Sequence, residues 1–183
     1  TPKADYLYRL SVMDRAMDGG IDDVGIGALF GLTDYRFEVL AMIEHANHLE
    51  RCYGCGPHTV SVPRMEPAIG APAAEKVPMP VGDDDFKKIV AIIRIALPYT
   101  GIILSTREND KMRNELIKYG VSQISAASKT NPGSYAHEEE GTGTQFSTGD
   151  HRSMEEVIAS LVDAGYIPSF CTGCYRKIGR AHV

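Results

Sequence analysis

The 183-residue chain is 43 % apolar and 23 % charged, with 19 Lys+Arg against 24 Asp+Glu and a net charge of −5. That balance excludes a disordered, collagen-like or coiled-coil chain, and it lacks the basic footprint of a nucleic-acid binder. No run approaches the roughly 18 apolar residues of a membrane span, and the length suits one domain or a large piece of one.

In chain order, Tyr6, Leu10, Met13 and Met17 recur at helical spacing until Gly19-Gly20 stops them. Val24 to Leu29 reads as a buried strand. Asp34 caps a helix that should turn Phe37, Leu40, Ile43 and Leu49 toward a core. Thr59 to Val62 is a short strand ended by Pro63, and a Pro/Ala/Gly-rich connection follows over about 65–82. Asp83, Asp84 and Asp85 favour a helix N-terminus, and Phe86, Ile89, Val90, Ile93 and Leu97 mark its apolar face. Gly101 to Leu104 is a strand, Met112 to Ile117 a short helix, and Val121 to Ser125 another strand. Residues 127–150 are polar and Gly-rich, which predicts a long mobile loop. Ser153 and Glu156 form a capping box ahead of a last helix, which Gly165 ends. Tyr166 to Phe170 is expected to add a final strand, and 151–183 to form a C-terminal extension of a single domain spanning 1–183.

Alternating helices and strands imply an α/β fold with a parallel sheet. The strands look apolar enough for burial on both faces. The unit length matches about half of a TIM-type (β/α)₈ barrel with a C-terminal helical extension. A doubly wound sheet is the rival, but Gly25, Gly27 and Gly31 lack the phosphate-binding spacing it favours.

In such barrels chemistry gathers at the C-terminal ends of the strands. That places Ser61 to Arg64, Ser105 to Arg107 and Ser125 to Lys129 together: arginines and hydroxyls, with no carboxylate pair. A guanidinium fork binds carboxylate or phosphate oxygens; alternatively Arg64 and Arg107 hold loop carbonyls. Gly25 and Gly27 let a ligand or another backbone come close, or serve tight packing. Cys171 and Cys174 can bite one metal or cluster edge, with redox or zinc roles as competitors. His48, Cys52, Cys55 and His58 have the composition of a zinc site. The rival is an ordinary helix end and turn.

Six segments then stand in a recognisable order: Asp22 to Gly31, Asp34 to Leu40, Gly56 to Arg64, Leu104 to Glu108, Gly149 to Ser153 and Phe170 to Arg176. Together they resemble FeFe-hydrogenase maturases of the HydG type, which are radical-SAM tyrosine lyases related to the ThiH type. The resemblance spans essentially the whole chain. It implies a (β/α)₈ barrel whose second half carries the biotin and thiamin synthesis-associated domain. It also implies S-adenosylmethionine and 4Fe–4S clusters as cofactors. A radical then cleaves the Cα–Cβ bond of tyrosine to p-cresol and dehydroglycine, leading to CO and cyanide.

By position, the resemblance makes Thr59, Ser61 and Arg64 the holders of the tyrosine carboxylate. Gly25 and Gly27 then lie beside S-adenosylmethionine, Arg107 and Ser125 form an active-site wall, and Cys171 and Cys174 ligate a second cluster. The radical-cluster motif C-x₃-C-x₂-C is not among these residues. The expectation is therefore a C-terminal portion that is inactive alone, cytoplasmic, and paired as a homodimer through exposed sheet edges. The ThiH-type 2-iminoacetate synthase of thiamine synthesis and a stand-alone metal-binding or interaction module are the alternatives.

Overall fold

The computed structural model describes residues 4–21, 23–66, 72–129 and 148–170. Two short helices open it: α1 (Tyr6–Leu10), capped by Asp5, and α2 (Val12–Asp18). The periodicity predicted one helix. The break falls at Ser11, whose hydroxyl bonds back to the Leu7 carbonyl and accepts from Arg15. Then follow β1 (Gly25–Gly27), α3 (Tyr35–Tyr53), β2 (Thr59–Ser61), α4 (Pro72–Glu75), α5 (Asp83–Ala96), β3 (Gly101–Leu104), α6 (Asp110–Ile117), β4 (Gln123–Ile124) and α7 (Met154–Asp163).

The four strands form one parallel sheet in the order β1-β2-β3-β4. Neighbours in sequence are neighbours in space, so the order never reverses. That is the arrangement of barrel units and not of a doubly wound sheet, whose strand order switches direction. Among the described residues the sheet does not close on itself.

The two faces differ. Ile26, Val60, Ile102 and Leu104 point toward α3 and α5 and are buried with Val39, Met42, Ala46, Leu49, Phe86, Ile89 and Ile93. Successive strand residues face opposite ways. The register therefore lines up Gly25, Thr59 and Gly101 in one row of the other face. Gly27, Ser61, Ile103 and Gln123 form the next row. These residues are half-buried or exposed. The expectation of burial on both faces is thus corrected: helices cover one face, and the described residues leave the glycine- and hydroxyl-bearing face open.

Two further expectations change. On α3 the buried stripe is Val39, Met42, Ala46 and Leu49, while Phe37 and Leu40 stand 63 % and 65 % exposed. Both stripes satisfy helical spacing; the docking against β1 and α5 selects one. Residues 166–170 form no strand among the described residues, and Ile167 is 97 % exposed. The capping box of Ser153 and Glu156 is present at the start of α7.

Candidate functional site at the strand tips

The strand ends gather the groups the sequence pointed to, but not in one cluster. Thr59 and Ser61 sit on the open face, directly beside Gly25 and Gly27. A β-carbon on Gly25 would stand 2.6 Å from Thr59 Oγ1, and one on Gly27 would stand 2.7 Å from the Ser61 carbonyl oxygen. The space freed by the two glycines is therefore filled by β2. It does not form an open cradle for a cofactor.

Arg64 leaves this face. Pro63 and Arg64 continue β2 past its last ladder residue, and Arg64 bridges to Phe30. The guanidinium turns to the helix side, 4.6 Å over the Phe86 ring of α5. Its Nε donates to Glu108 Oε1 at 2.8 Å, and one terminal nitrogen completes the fork to Glu108 Oε2. The other terminal nitrogen donates to Asp83 Oδ1 at 2.8 Å and to the Val81 carbonyl at 3.0 Å. Burial alone would ease deprotonation of the guanidinium, but the hydrogen bonds and charges of Glu108 and Asp83 outweigh it and hold the proton more firmly. The expected trio of Thr59, Ser61 and Arg64 is thus split. Two hydroxyls face the open side, and an arginine already balanced by two carboxylates lies behind them.

Glu66 and Arg107 lie within electrostatic reach of each other at the same end. Burial pushes the Glu66 carboxyl up, aided by Glu108 and opposed by Arg64 and Arg107. Burial pulls Arg107 down, opposed by Glu66. A cleft of about 230 Å³ lies here, lined by Phe30, Arg64, Met65, Glu66, Val77, Pro80 and Val81. Its lining is mostly apolar and carries one group of each charge sign, Arg64 and Glu66.

Ser125 is fixed through its backbone. Its N–H donates to the Leu104 carbonyl at 3.0 Å, and its carbonyl accepts from Arg113 of α6. Arg113 is 1 % exposed and also pairs with Asp150, whose Oδ2 accepts from an Arg152 nitrogen at 2.6 Å as well. Burial would raise the Asp150 carboxyl, but the hydrogen bonds and charges of the two arginines bring it down to about 2. The Gly149 and Asp150 N–H groups both donate to the Thr106 carbonyl, at 2.8 and 3.1 Å. The end of the predicted 127–150 loop is therefore tied to the tip of β3. Residues 130–147 lie outside the described residues, as do Cys171 and Cys174.

The zinc set does not assemble. His48 Nε2 pairs with Asp14 Oδ1 at 2.6 Å, and His58 Nδ1 lies 3.8 Å from Asp23. Helix α3 ends at Tyr53, and Gly54 in the left-handed region (φ 72°) turns Cys55 away from it. His58 belongs to the lead-in of β2, where its N–H donates to the Val24 carbonyl. Among the described residues no group of three or more His, Cys, Asp or Glu can hold a metal ion.

Comparison with known proteins decides the family. The Biotin and Thiamin Synthesis associated domain matches residues 61–167, from the end of β2 past α7. The chain belongs to the Biotin and Thiamin Synthesis associated domain family. That domain contains Ser61, Arg64, Glu108, Arg113 and Asp150, so the split arrangement at the strand tips lies almost wholly inside it. The 2-iminoacetate synthase of Escherichia coli (strain K12) is 34 % identical over 91 % of this chain and 43 % of its own length. The enzyme of that name from Salmonella typhimurium is 33 % identical over the same shares. The crystal structure of HydG, a maturase of the [FeFe]-hydrogenase, superposes with a TM-score of 0.89 at 56 % identity, covering 98 % of this chain and 38 % of HydG. HydG from Carboxydothermus hydrogenoformans gives 0.81 at 52 % identity, covering 97 % and 40 %. The chain thus spans about two-fifths of the length of the relatives it matches. Its parallel α/β sheet corresponds to part of the HydG fold.

Sequence reasoning assigned no role to Glu108, Arg113 or Asp150. Glu108 and Asp150 stood inside the resembling segments Leu104 to Glu108 and Gly149 to Ser153, one next to Arg107 and the other two residues before Arg152. That was the available signal. Their partners, Arg64 and Arg113, lie 44 and 37 residues away in the chain.

Proposed function

We propose that this chain is the substrate-facing C-terminal portion of a radical-SAM tyrosine lyase of the HydG type. The supporting observation is the 56 % identity and 0.89 TM-score to HydG over nearly the whole chain. In the parent protein, tyrosine is cleaved at its Cα–Cβ bond to p-cresol and dehydroglycine, and the dehydroglycine leads to CO and cyanide for hydrogenase assembly. S-adenosylmethionine and a 4Fe–4S cluster supply the radical when bound, and Cys171 and Cys174 would ligate a second cluster. The strand-tip side chains of this portion hold and orient the substrate.

In this reading Thr59 and Ser61 present hydroxyls to the amino acid from the open face of the sheet. Gly25 and Gly27 keep β1 low enough for those side chains to lie over it. Arg107 and Ser125 complete the wall of the chamber. Arg64 acts through its fork to Glu108, which fixes the β2 tip and gives the mouth a balanced charge. Orientation of this kind contributes to rate by holding reacting groups in place. The open edges of β1 and β4 take up a further strand-bearing body. When the chain is alone, a second copy fills that role in the cytoplasm, and light scattering would show a dimer.

The 34 % identity to 2-iminoacetate synthases favours a second reading, in which tyrosine cleavage serves thiamine synthesis. One assay separates the two. The protein carrying this chain is reconstituted anaerobically and supplied with tyrosine, S-adenosylmethionine and reductant. p-Cresol with CO and cyanide supports the HydG-type role, and p-cresol with dehydroglycine alone supports the other. Absence of p-cresol overturns both.

A further inference from the structure

The last strand of the sheet brings one more polar group onto the open face. Gln123 of β4 stands in register with Ile103 of β3, in the row that also holds Ser61 and Gly27. Its side chain leans back over Gly101, where an ideal β-carbon would stand 2.9 Å from the amide nitrogen and 3.3 Å from the amide carbon. Any side chain at 101 would push the amide away. Ile103 lies beside it, half-buried. No residue of the two open-face rows is charged.

A glutamine is an unexpected choice here. Strands of parallel sheets favour branched apolar residues, and one of these would pack beside Ile103 at no polar cost. The amide carries two donors and an acceptor. Among the described residues the Gln123 side chain has no hydrogen-bond partner. In a chamber closed to water, an amide left in that condition is costly. A ligand that meets it removes the cost.

We infer that Gln123 recognises the phenol hydroxyl of the substrate and so selects tyrosine over phenylalanine. The inference rests on the tyrosine-lyase reading, with the amino-acid end of the substrate at Thr59 and Ser61. Strands β2 and β4 are two strand spacings apart, about 9–10 Å, and the Gln123 side chain returns part of that distance toward β3. An extended tyrosine bridges the remainder, with its ring on Ile103 and its oxygen at the amide. The phenol O–H donates to the Gln123 side-chain carbonyl, and the Gln123 side-chain N–H donates to the phenol oxygen. Phenylalanine does neither and leaves the amide stranded. A site built to hydrogen-bond a hydroxyl rejects the analogue lacking it for that reason.

The test measures equilibrium binding of tyrosine and of phenylalanine by calorimetry. It uses the protein carrying this chain, reconstituted anaerobically with S-adenosylmethionine and without reductant, so that nothing turns over. The unsubstituted protein should bind tyrosine about tenfold or more tighter than phenylalanine. Gln123→Met, close in shape but without the amide, should lose about tenfold in tyrosine affinity and keep its phenylalanine affinity. Gln123→Leu, of the residue type that parallel strands favour, is the second variant and should behave alike. Circular dichroism confirms the fold of both. A glutamine needed only for packing would weaken both ligands together and leave their ratio unchanged. An unchanged ratio in either folded variant, or an unsubstituted protein that binds the two amino acids equally, overturns the inference and leaves the tyrosine reading standing. An unsubstituted protein that binds neither overturns both.

Discussion

Thr59 Oγ1 occupies the place beside β1 that a side chain on Gly25 would need: the approach is 2.6 Å to an ideal β-carbon. The bare glycine of β1 and the hydroxyl of β2 are therefore one feature and not two. Gly25→Ala should force Thr59 off its position and cost about 1–3 kcal/mol, the usual effect of overpacking. The nearest remaining atom of Thr59 beyond its side chain, the carbonyl oxygen, is at 3.6 Å. Adding Thr59→Ala should consequently recover most of the loss. Denaturant midpoints of the two single variants and the double variant check this. Additive losses would show that the two positions are uncoupled.

Breaking the Arg64–Glu108 fork should be more damaging than weakening it. Glu108 is 3 % exposed, and its two oxygens are held by Arg64. Arg64→Met strands that carboxylate and should cost on the order of 3 kcal/mol. Glu108→Gln keeps a hydrogen-bond acceptor, leaves Arg64 with Asp83, and should cost less. Urea unfolding of both variants provides the comparison.

Acid sensitivity should trace to Asp150. Its folded pKa of about 2 lies below the ordinary 3.8. The stabilisation is therefore complete above about pH 4 and lost as pH falls through about 2. The difference corresponds to roughly 2 kcal/mol. Asp150→Asn should be less stable than the parent at neutral pH, and the gap should narrow between pH 4 and pH 2. Chemical denaturation across that range measures it. A constant gap would assign the acid loss elsewhere.

Arg94 offers a control far from the tips. From α5 it donates to the carbonyls of Gly120, Pro98 and Thr100 at 2.8–3.0 Å. Arg94→Met should lower stability by about 1.5–3 kcal/mol through unsatisfied carbonyls. It should leave tyrosine turnover in the parent protein unchanged in KM. Thermal unfolding and steady-state kinetics together test this.

Much of the fold was legible because its signals are local. Asp34 and Ser153 accept from backbone N–H groups at their helix starts. The alternation Gly-Ile-Gly and Thr-Val-Ser, read as apolar runs, also encodes two unlike faces. What spacing could not resolve was the choice between equivalent stripes, as with Phe37 and Leu40 against Val39 and Met42. Nor could it reveal pairings between distant elements. Arg64 was legible as an arginine at a strand tip. Its direction depends on Asp83 and Phe86 of α5 and on Glu108 beyond β3, and that tertiary pairing removed it from the hydroxyl pair. Tyr166 to Phe170 has the composition of a strand, but composition does not supply a partner strand.

We propose that the open-face hydroxyls of Thr59 and Ser61 orient the substrate amino acid. The most direct measurement is steady-state p-cresol formation by the protein carrying this chain, comparing Thr59→Val and Ser61→Ala with the parent. The account predicts a rise in KM for tyrosine of about tenfold or more for each, as a lost hydrogen bond to a charged group implies, with the fold intact by circular dichroism. Parent-like KM and kcat in both folded variants would contradict it.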